Sequence, residues 1–116
     1  MKASVLAPIA ALSRLFDSVN DCREFKCPTG TTFDAKQIVE LRDHVLGNRG
    51  SDGVINLNDS GQPFLYYKFK RKTFNQTRYS YTIKVSIAEE WVMVYEERNG
   101  FINYCTLQQV PKPPSN

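Results

Sequence analysis

The feature that most constrains the fold is a change in hydrophobic period between residues 35–46 and residues 64–107. In the first segment Ile38, Leu41 and Val45 recur at three- and four-residue spacing, which predicts one apolar face of an amphipathic helix. In the second segment apolar and polar side chains alternate, which is typical of strands with one buried face. One helix followed by a run of strands predicts an α+β domain, with the main helix packed on a twisted antiparallel sheet.

The main helix has boundary signals at both ends. Asp34 is a suitable N-cap, with Gln37 at the third helical position. Phe33 before the cap is placed to pack on Ile38 in the first turns. Gly47 predicts the end of the helix, because glycine commonly follows the last helical residue.

Turn signals divide the rest of the chain into strands. We expect a short strand at residues 24–27 and four antiparallel strands within residues 64–107, with turns at residues 75–77 and 98–100. Residues 48–62 are rich in Gly, Asn, Asp and Ser, which predicts a mobile surface loop with one brief strand at its apolar centre.

A chain of 116 residues is long enough for one domain and too short for two ordinary ones. We predict this domain at residues 22–110 and a disordered, proline-rich tail at residues 111–116. Residues 1–21 have two interpretations. A basic start and an apolar run are typical of a signal sequence, whereas Ile9, Leu12, Phe16 and Val19 share one face of an additional N-terminal helix. No segment is long enough to span a membrane.

The formal net charge of +3 is too mild to identify a nucleic-acid partner, but its distribution is uneven. Lysines at alternate positions of one predicted strand should project from one face and meet successive phosphates, with aromatic side chains placed to stack on unpaired bases. The alternative is an edge strand whose lysines prevent aggregation. The candidate residues for binding RNA or another partner are Tyr66, Lys68, Lys70, Arg71, Lys72, Phe74 and Arg78.

Catalytic side chains are scarce. Cleavage of RNA by acid/base chemistry needs two positioned proton carriers, and His44 is the one histidine of the sequence. It falls off the apolar helix stripe and is expected to face solvent. A carboxylate base and a phosphate-binding guanidinium could come from Glu89, Glu90, Glu96, Glu97 and Arg98, but an acid partner of suitable pKa is absent. The alternative is that these charged residues lie at solvated strand ends. We therefore predict no catalytic residues.

The three cysteines leave two interpretations open. A bridge between Cys27, before the helix, and Cys105, in the last predicted strand, would close the whole helix-and-sheet unit and leave Cys22 as the odd thiol. The alternative is three reduced cysteines that act as small buried hydrophobes. Their spacing and the helical His44 do not form a ligand set, so we predict no metal site and no cofactor.

The segment Phe25-x-Cys27-Pro28-x-Gly30, together with the late Cys105, resembles the small secreted RNase-like effectors of powdery-mildew fungi. Phe25 stands where that family usually has tyrosine in its aromatic-x-Cys motif. The resemblance covers about residues 24–108 and implies a Cys27–Cys105 bridge and a fold like that of microbial guanyl-specific ribonucleases. Gln62-Pro63-Phe64 keeps the proline of the Tyr-Pro-His segment found in active ribonucleases and lacks its histidine.

The resemblance implies a secreted fungal virulence effector with a pseudo-ribonuclease domain. Such a protein acts in the cytoplasm of the plant host cell, binds host RNA or host proteins, suppresses immunity and is open to recognition by intracellular plant immune receptors. We expect a monomer that does not bind membranes. The alternatives are an active guanyl-preferring secreted ribonuclease and a protein-interaction domain without affinity for nucleic acid.

Overall fold

A computed structural model describes residues 23–110 as one helix and eight strands in two sheets. The predicted N-terminal helix or signal-like segment and the predicted tail lie outside these residues. The elements are β1 (Arg23–Lys26), β2 (Thr32–Asp34), α1 (Ala35–Gly47), β3 (Val54–Asp59), β4 (Gln62–Phe74), β5 (Thr77–Ser86), β6 (Val92–Arg98), β7 (Phe101–Tyr104) and β8 (Thr106–Gln109). The predicted α+β class is confirmed, with α1 packed on a five-stranded antiparallel sheet.

Helix α1 begins as the sequence predicts and ends slightly later. The Asp34 side chain accepts a hydrogen bond from the backbone N–H of Lys36 at 3.2 Å, which satisfies one free donor of the first turn. At the other end Gly47 is still helical and Asn48 is the C-cap, so the predicted stop at Gly47 is wrong by one residue. The Asn48 side-chain amide donates to the carbonyl of His44 at 2.7 Å and so satisfies a free acceptor of the last turn.

The large sheet is a meander with the strand order β3-β4-β5-β6-β7. Its turns at Asn75-Gln76 and Asn99-Gly100 were predicted, and both residues of each turn have positive φ. This backbone is typical of the two-residue turns whose twist matches that of the flanking strands. A third turn of this kind, at Ser60-Gly61, joins β3 to β4. The brief strand predicted within residues 48–62 is therefore confirmed, and at six residues it is longer than expected. The prediction of a mobile loop for the segment as a whole is wrong, because this strand pairs with β4 along its whole length.

The last predicted strand, at residues 101–107, is in fact two strands in two sheets. Strand β7 pairs with β6 in the large sheet, and β8 pairs with β1 in the small sheet of order β2-β1-β8. The residue between them is Cys105, whose sulfur is bonded to that of Cys27. The predicted disulfide is thus confirmed. It joins the point where the chain changes sheets to the end of β1.

The core lies between α1 and one face of the large sheet. Phe33 and Ile38, which the sequence pairs across the helix start, both belong to it. The ring of Phe33 also contacts the rings of Phe69 and Tyr81, with centroids 5.1 and 5.2 Å apart. The largest fully buried side chains of the described residues are Phe25, Cys27, Ile38, Val45, Leu65, Tyr81, Ile83, Val85, Val92 and Val94.

Candidate functional site

The register of the large sheet assigns each side chain to one of its two faces. Residues directly opposite each other in an antiparallel pair point to the same side. On β5, Tyr81, Ile83 and Val85 are buried in the core against α1. The intervening Thr82 and Lys84 and their cross-strand partners therefore lie on the side opposite α1, which we call the open face. Thr82 and Lys84 at its centre are nevertheless buried, so the exposed part of this face lies towards its margins.

A β-bulge in β4 changes which lysines reach the open face. Lys68 pairs with Thr82, whereas Lys70 pairs with Tyr81, because the register shifts between them and leaves Phe69 as an extra residue. One extra residue inverts the alternation that follows it. The prediction that the lysines of β4 share one face is therefore wrong. The contact between the Phe69 ring and Phe33 in the core accompanies this shift.

The bulge divides the predicted binding residues into two groups. Tyr66, Lys68, Arg71 and Arg78 lie on the open face by their pairing, whereas Lys70, Lys72 and Phe74 lie on the helix side. The Lys72 ammonium donates to Thr31 Oγ1 at 2.6 Å, so its charge is directed towards the loop before β2. The exposed Phe74 is at the tip of the hairpin, opposite Thr77, and not among the residues of the open face.

A concavity of about 540 Å³ lies at the hairpin end of the open face. We call it the basic concavity. Three cations of the open face line it, Lys68, Arg71 and Arg78, and Glu97 is the one acidic residue among the lining residues. Lys72 and Tyr79 also line it, although they are a cross-strand pair on the helix side. Its lining residues are Lys68, Arg71, Lys72, Thr73, Arg78, Tyr79, Ser80, Glu97, Asn99 and Gly100. A mostly cationic hollow with hydroxyl and amide groups has the chemistry to bind phosphate oxygens.

Beside the basic concavity lies a pair of tyrosines that the sequence analysis did not identify. Tyr95 on β6 is opposite Tyr104 on β7, and their ring centroids are 5.4 Å apart in a T-shaped contact. We call this pair the tyrosine shelf. Burial raises the pKa of Tyr95, and the nearby Glu97 adds to this effect, while a hydrogen bond with Thr82 opposes it. The tyrosine pair could have been found from the sequence, because a two-residue hairpin loop at Asn99-Gly100 fixes the register of its strands and places Tyr95 opposite Tyr104.

An ion pair occupies the middle of the open face. The Lys84 side chain is almost fully buried, and its Nζ atom is 2.5 Å from Asp59 Oδ2. The same Nζ lies over the rings of Phe64 and Tyr66, 4.5 and 5.6 Å from their centroids. The Lys84 hydrogen bond and its charge lower the pKa of Asp59. Burial by itself lowers the pKa of Lys84, but Asp59 and nearby phenols more than offset it, so the net shift is upward.

The glutamates considered for catalysis are divided between different environments. Glu96 is only 2% exposed and lies on the helix side, opposite Tyr81. Its Oε2 accepts hydrogen bonds from the Tyr81 hydroxyl at 2.9 Å and from Thr29 Oγ1 at 2.5 Å. Glu89 accepts a hydrogen bond from the Trp91 indole at 2.6 Å. Of these carboxylates, only that of Glu97 lines the basic concavity.

His44 is distant in the fold from the open face, because it lies on α1, which packs on the other side of the sheet. Its side chain is exposed, as the sequence predicts. In the part of the chain that the structure describes, no group of three His, Cys, Asp or Glu residues could hold a metal ion. Within the same residues, no helix is long and apolar enough to cross a membrane.

Comparisons of the chain with models of protein families, with curated proteins and with solved structures found no match.

Proposed function

We propose that this chain is a non-catalytic RNA-binding domain of a secreted fungal effector. The observation that carries the proposal is the basic concavity on the sheet face opposite α1, where Lys68, Arg71 and Arg78 come together. The assignment to secreted fungal effectors rests in addition on the resemblance of the Phe25-x-Cys27 segment to the RNase-like effectors of powdery mildews. The Cys27–Cys105 bridge and the helix on an antiparallel sheet support a ribonuclease-like fold.

RNA is the favoured ligand because positive charge is concentrated around the basic concavity. The net charge of the whole chain is only +3, yet three exposed cations of the open face surround one hollow. Phosphate groups are the anionic partners that such clusters of lysine and arginine bind, and binding releases condensed counterions from the RNA. A protein surface rich in acidic residues is the competing partner, and it offers no bases for the neighbouring aromatic side chains.

The domain should hold RNA without cleaving it. Glu97 is a carboxylate beside the cations, but a cleavage reaction also needs an acid to protonate the leaving oxygen. The single histidine is on the other side of the sheet, and Glu96 is enclosed by hydroxyl donors. An active guanyl-preferring ribonuclease would have to use Glu97 and arginine alone.

In the biological setting that the resemblance implies, the protein is secreted, enters the cytoplasm of a plant cell and acts there as a monomer without a cofactor. It suppresses immunity by occupying host RNA, with host proteins as the alternative target. Intracellular plant immune receptors are the expected recognition partners.

The test is a titration of a fluorescein-labelled single-stranded RNA, followed by anisotropy over a salt series. We expect wild type to bind and the triple variant Lys68→Ala, Arg71→Ala, Arg78→Ala to bind much more weakly. On a single strand each lost phosphate contact flattens the slope of log K against log salt by about 0.7, so the slope should fall by about 2. The control variant removes three exposed cations that do not line the concavity: Lys26, Lys36 and Arg49.

Equal losses in both triple variants would show binding by net charge alone and contradict a site at the concavity. An absence of binding at low salt would favour the protein-interaction alternative. Turnover of a dinucleotide by wild type that is lost in Glu97→Gln would favour the active ribonuclease.

A further inference from the structure

The open face changes from basic to aromatic along a single row of side chains. Lys68, Thr82, Tyr95 and Tyr104 are consecutive cross-strand partners on β4, β5, β6 and β7. Neighbouring strands are about 4.8 Å apart, so the row is about 14 Å long. A nucleic-acid chain whose phosphates lie over β4 and β5 therefore has room to place its bases over β6 and β7.

The aromatic end of this row is both accessible and held in position. Tyr104 is 44% exposed, whereas its partner Tyr95 is 9% exposed. The T-shaped contact between them supports the exposed ring and restricts its motion before any ligand arrives. In the next row Ile102, which is exposed, lies opposite Glu97 of the basic concavity. An apolar edge thus continues from the tyrosine shelf to the charged hollow.

The charges beside the tyrosine shelf indicate which class of ligand binds there. A purely apolar partner would leave Lys68, Arg71 and Arg78 with Glu97 as the one acidic residue of the concavity, and burying cations with too few counter-charges is unfavourable. A nucleotide satisfies both parts of the surface, because its phosphate is anionic and its base has an apolar face. Lys84, two residues further along β5, is already paired with Asp59, so the cations of the open face that remain for a phosphate are those of the concavity.

We infer that the tyrosine shelf is a stacking site for an unpaired nucleobase of a single-stranded RNA whose phosphates lie in the basic concavity. This inference rests on the proposed function and adds the class of nucleic acid. Bases of a duplex are stacked and paired with each other and are not available to a side chain, whereas unpaired bases stack readily on aromatic rings. The protein therefore selects single strands.

The test compares three ligands of equal length, each about ten nucleotides, within the range of site sizes for such surfaces. They are a single-stranded RNA, its blunt duplex and a single strand of the same backbone in which the bases are replaced by abasic sites. The variants are Tyr104→Ala, Tyr104→Phe and the control Phe101→Ala. Phe101 is 69% exposed on the same strand but opposite Arg98, on the other side of the sheet.

We expect wild type to bind the single strand at least about fivefold more tightly than the abasic strand or the duplex, which is the lower end of what one stacked base contributes. Tyr104→Ala should lose a similar factor for the single strand and none for the abasic strand. Tyr104→Phe keeps the ring and should bind like wild type, as should Phe101→Ala. Circular dichroism of each variant shows that the fold is retained.

Equal affinity of wild type for the three ligands, or an unchanged affinity in Tyr104→Ala, would overturn the stacking site and leave the proposed phosphate binding standing. Absence of binding to any of them would overturn both. Loss of a dimer in Tyr104→Ala, measured by light scattering, together with unchanged RNA binding, would assign the shelf to a second copy of the chain instead.

Discussion

At the scale of single residues, the least expected feature is a lysine in the middle of a face that should attract phosphates. Lys84 is 5% exposed and its charge is matched by Asp59 from the neighbouring hairpin. No local pattern in the sequence links them, because the pairing depends on the registers of β3, β4 and β5 together. The sequence predicts a loop at Asp59 and does not indicate a role for Lys84.

The ion pair predicts a dependence of stability on pH. Lys84 holds the pKa of Asp59 below its ordinary value of 3.8, so the pair contributes stability above that pH and loses it as the pH falls through the lowered pKa. The free energy of unfolding of wild type should exceed that of Asp59→Asn near neutral pH, and the difference should shrink below pH 3.8. Urea unfolding of both proteins at several pH values measures this. A difference that does not vary with pH would contradict the role of the charge.

At the scale of elements, the turns were predictable and the bulge was not. Asn75-Gln76 and Asn99-Gly100 are short polar interruptions between alternating segments, and a local signal of this kind suffices to find a hairpin. The extra residue Phe69 lies within an unbroken alternation, and its ring contacts Phe33, which is distant in the sequence. The strand was predictable from the alternation, but the bulge puts Lys70, Arg71 and Lys72 on the sides opposite to those that the alternation predicts.

Because of the bulge, Lys68 and Lys70 lie on opposite sides of the sheet and should differ in their contribution to RNA binding. Both Lys68 and Lys70 are exposed, but only Lys68 lines the basic concavity. We expect Lys68→Ala to weaken binding of single-stranded RNA and to flatten its salt dependence by about 0.7, whereas Lys70→Ala should have little effect on either. Anisotropy titrations of the two variants under identical salt conditions provide the measurement. Equal losses would mean that the alternation continues unbroken in solution.

At the scale of the whole molecule, one covalent bond joins the two sheets. Cys27 follows β1 of the small sheet, and Cys105 lies where the chain passes from the large sheet to the small one. The resemblance to effectors implied this pairing, and the geometry agrees with it. The pairing of β8 with β1, by contrast, had no sequence signal, because the break in the last predicted strand at Cys105 does not interrupt the alternation.

Removal of the bridge should cost much of the stability. The bond closes a loop with a sequence separation of 78 residues. In the chain-entropy account such a loop contributes about 4–5 kcal/mol to the free energy of unfolding. The double variant Cys27→Ser, Cys105→Ser avoids a new pairing with Cys22 and should show this loss in urea unfolding. Peptide mapping without reduction checks the assignment, and recovery of a Cys22–Cys105 peptide would contradict it.

The charge distribution also becomes clear only at this scale. The basic segment of the sequence is continuous, yet its residues divide between the two sides of the sheet. The residues that complete the open face come from β6 and β7, more than fifteen positions later in the chain, and the sequence did not connect them to the basic segment.

The central claim is that RNA binds on the sheet face opposite α1. The most direct measurement is a titration of isotope-labelled protein with single-stranded RNA, followed by amide and side-chain NMR shifts. We expect the largest changes on Lys68, Arg71, Arg78, Glu97 and Tyr104, while residues of α1 such as Lys36 and His44 do not change and the RNA remains intact. Changes concentrated on α1, or cleavage of the RNA during the titration, would contradict it.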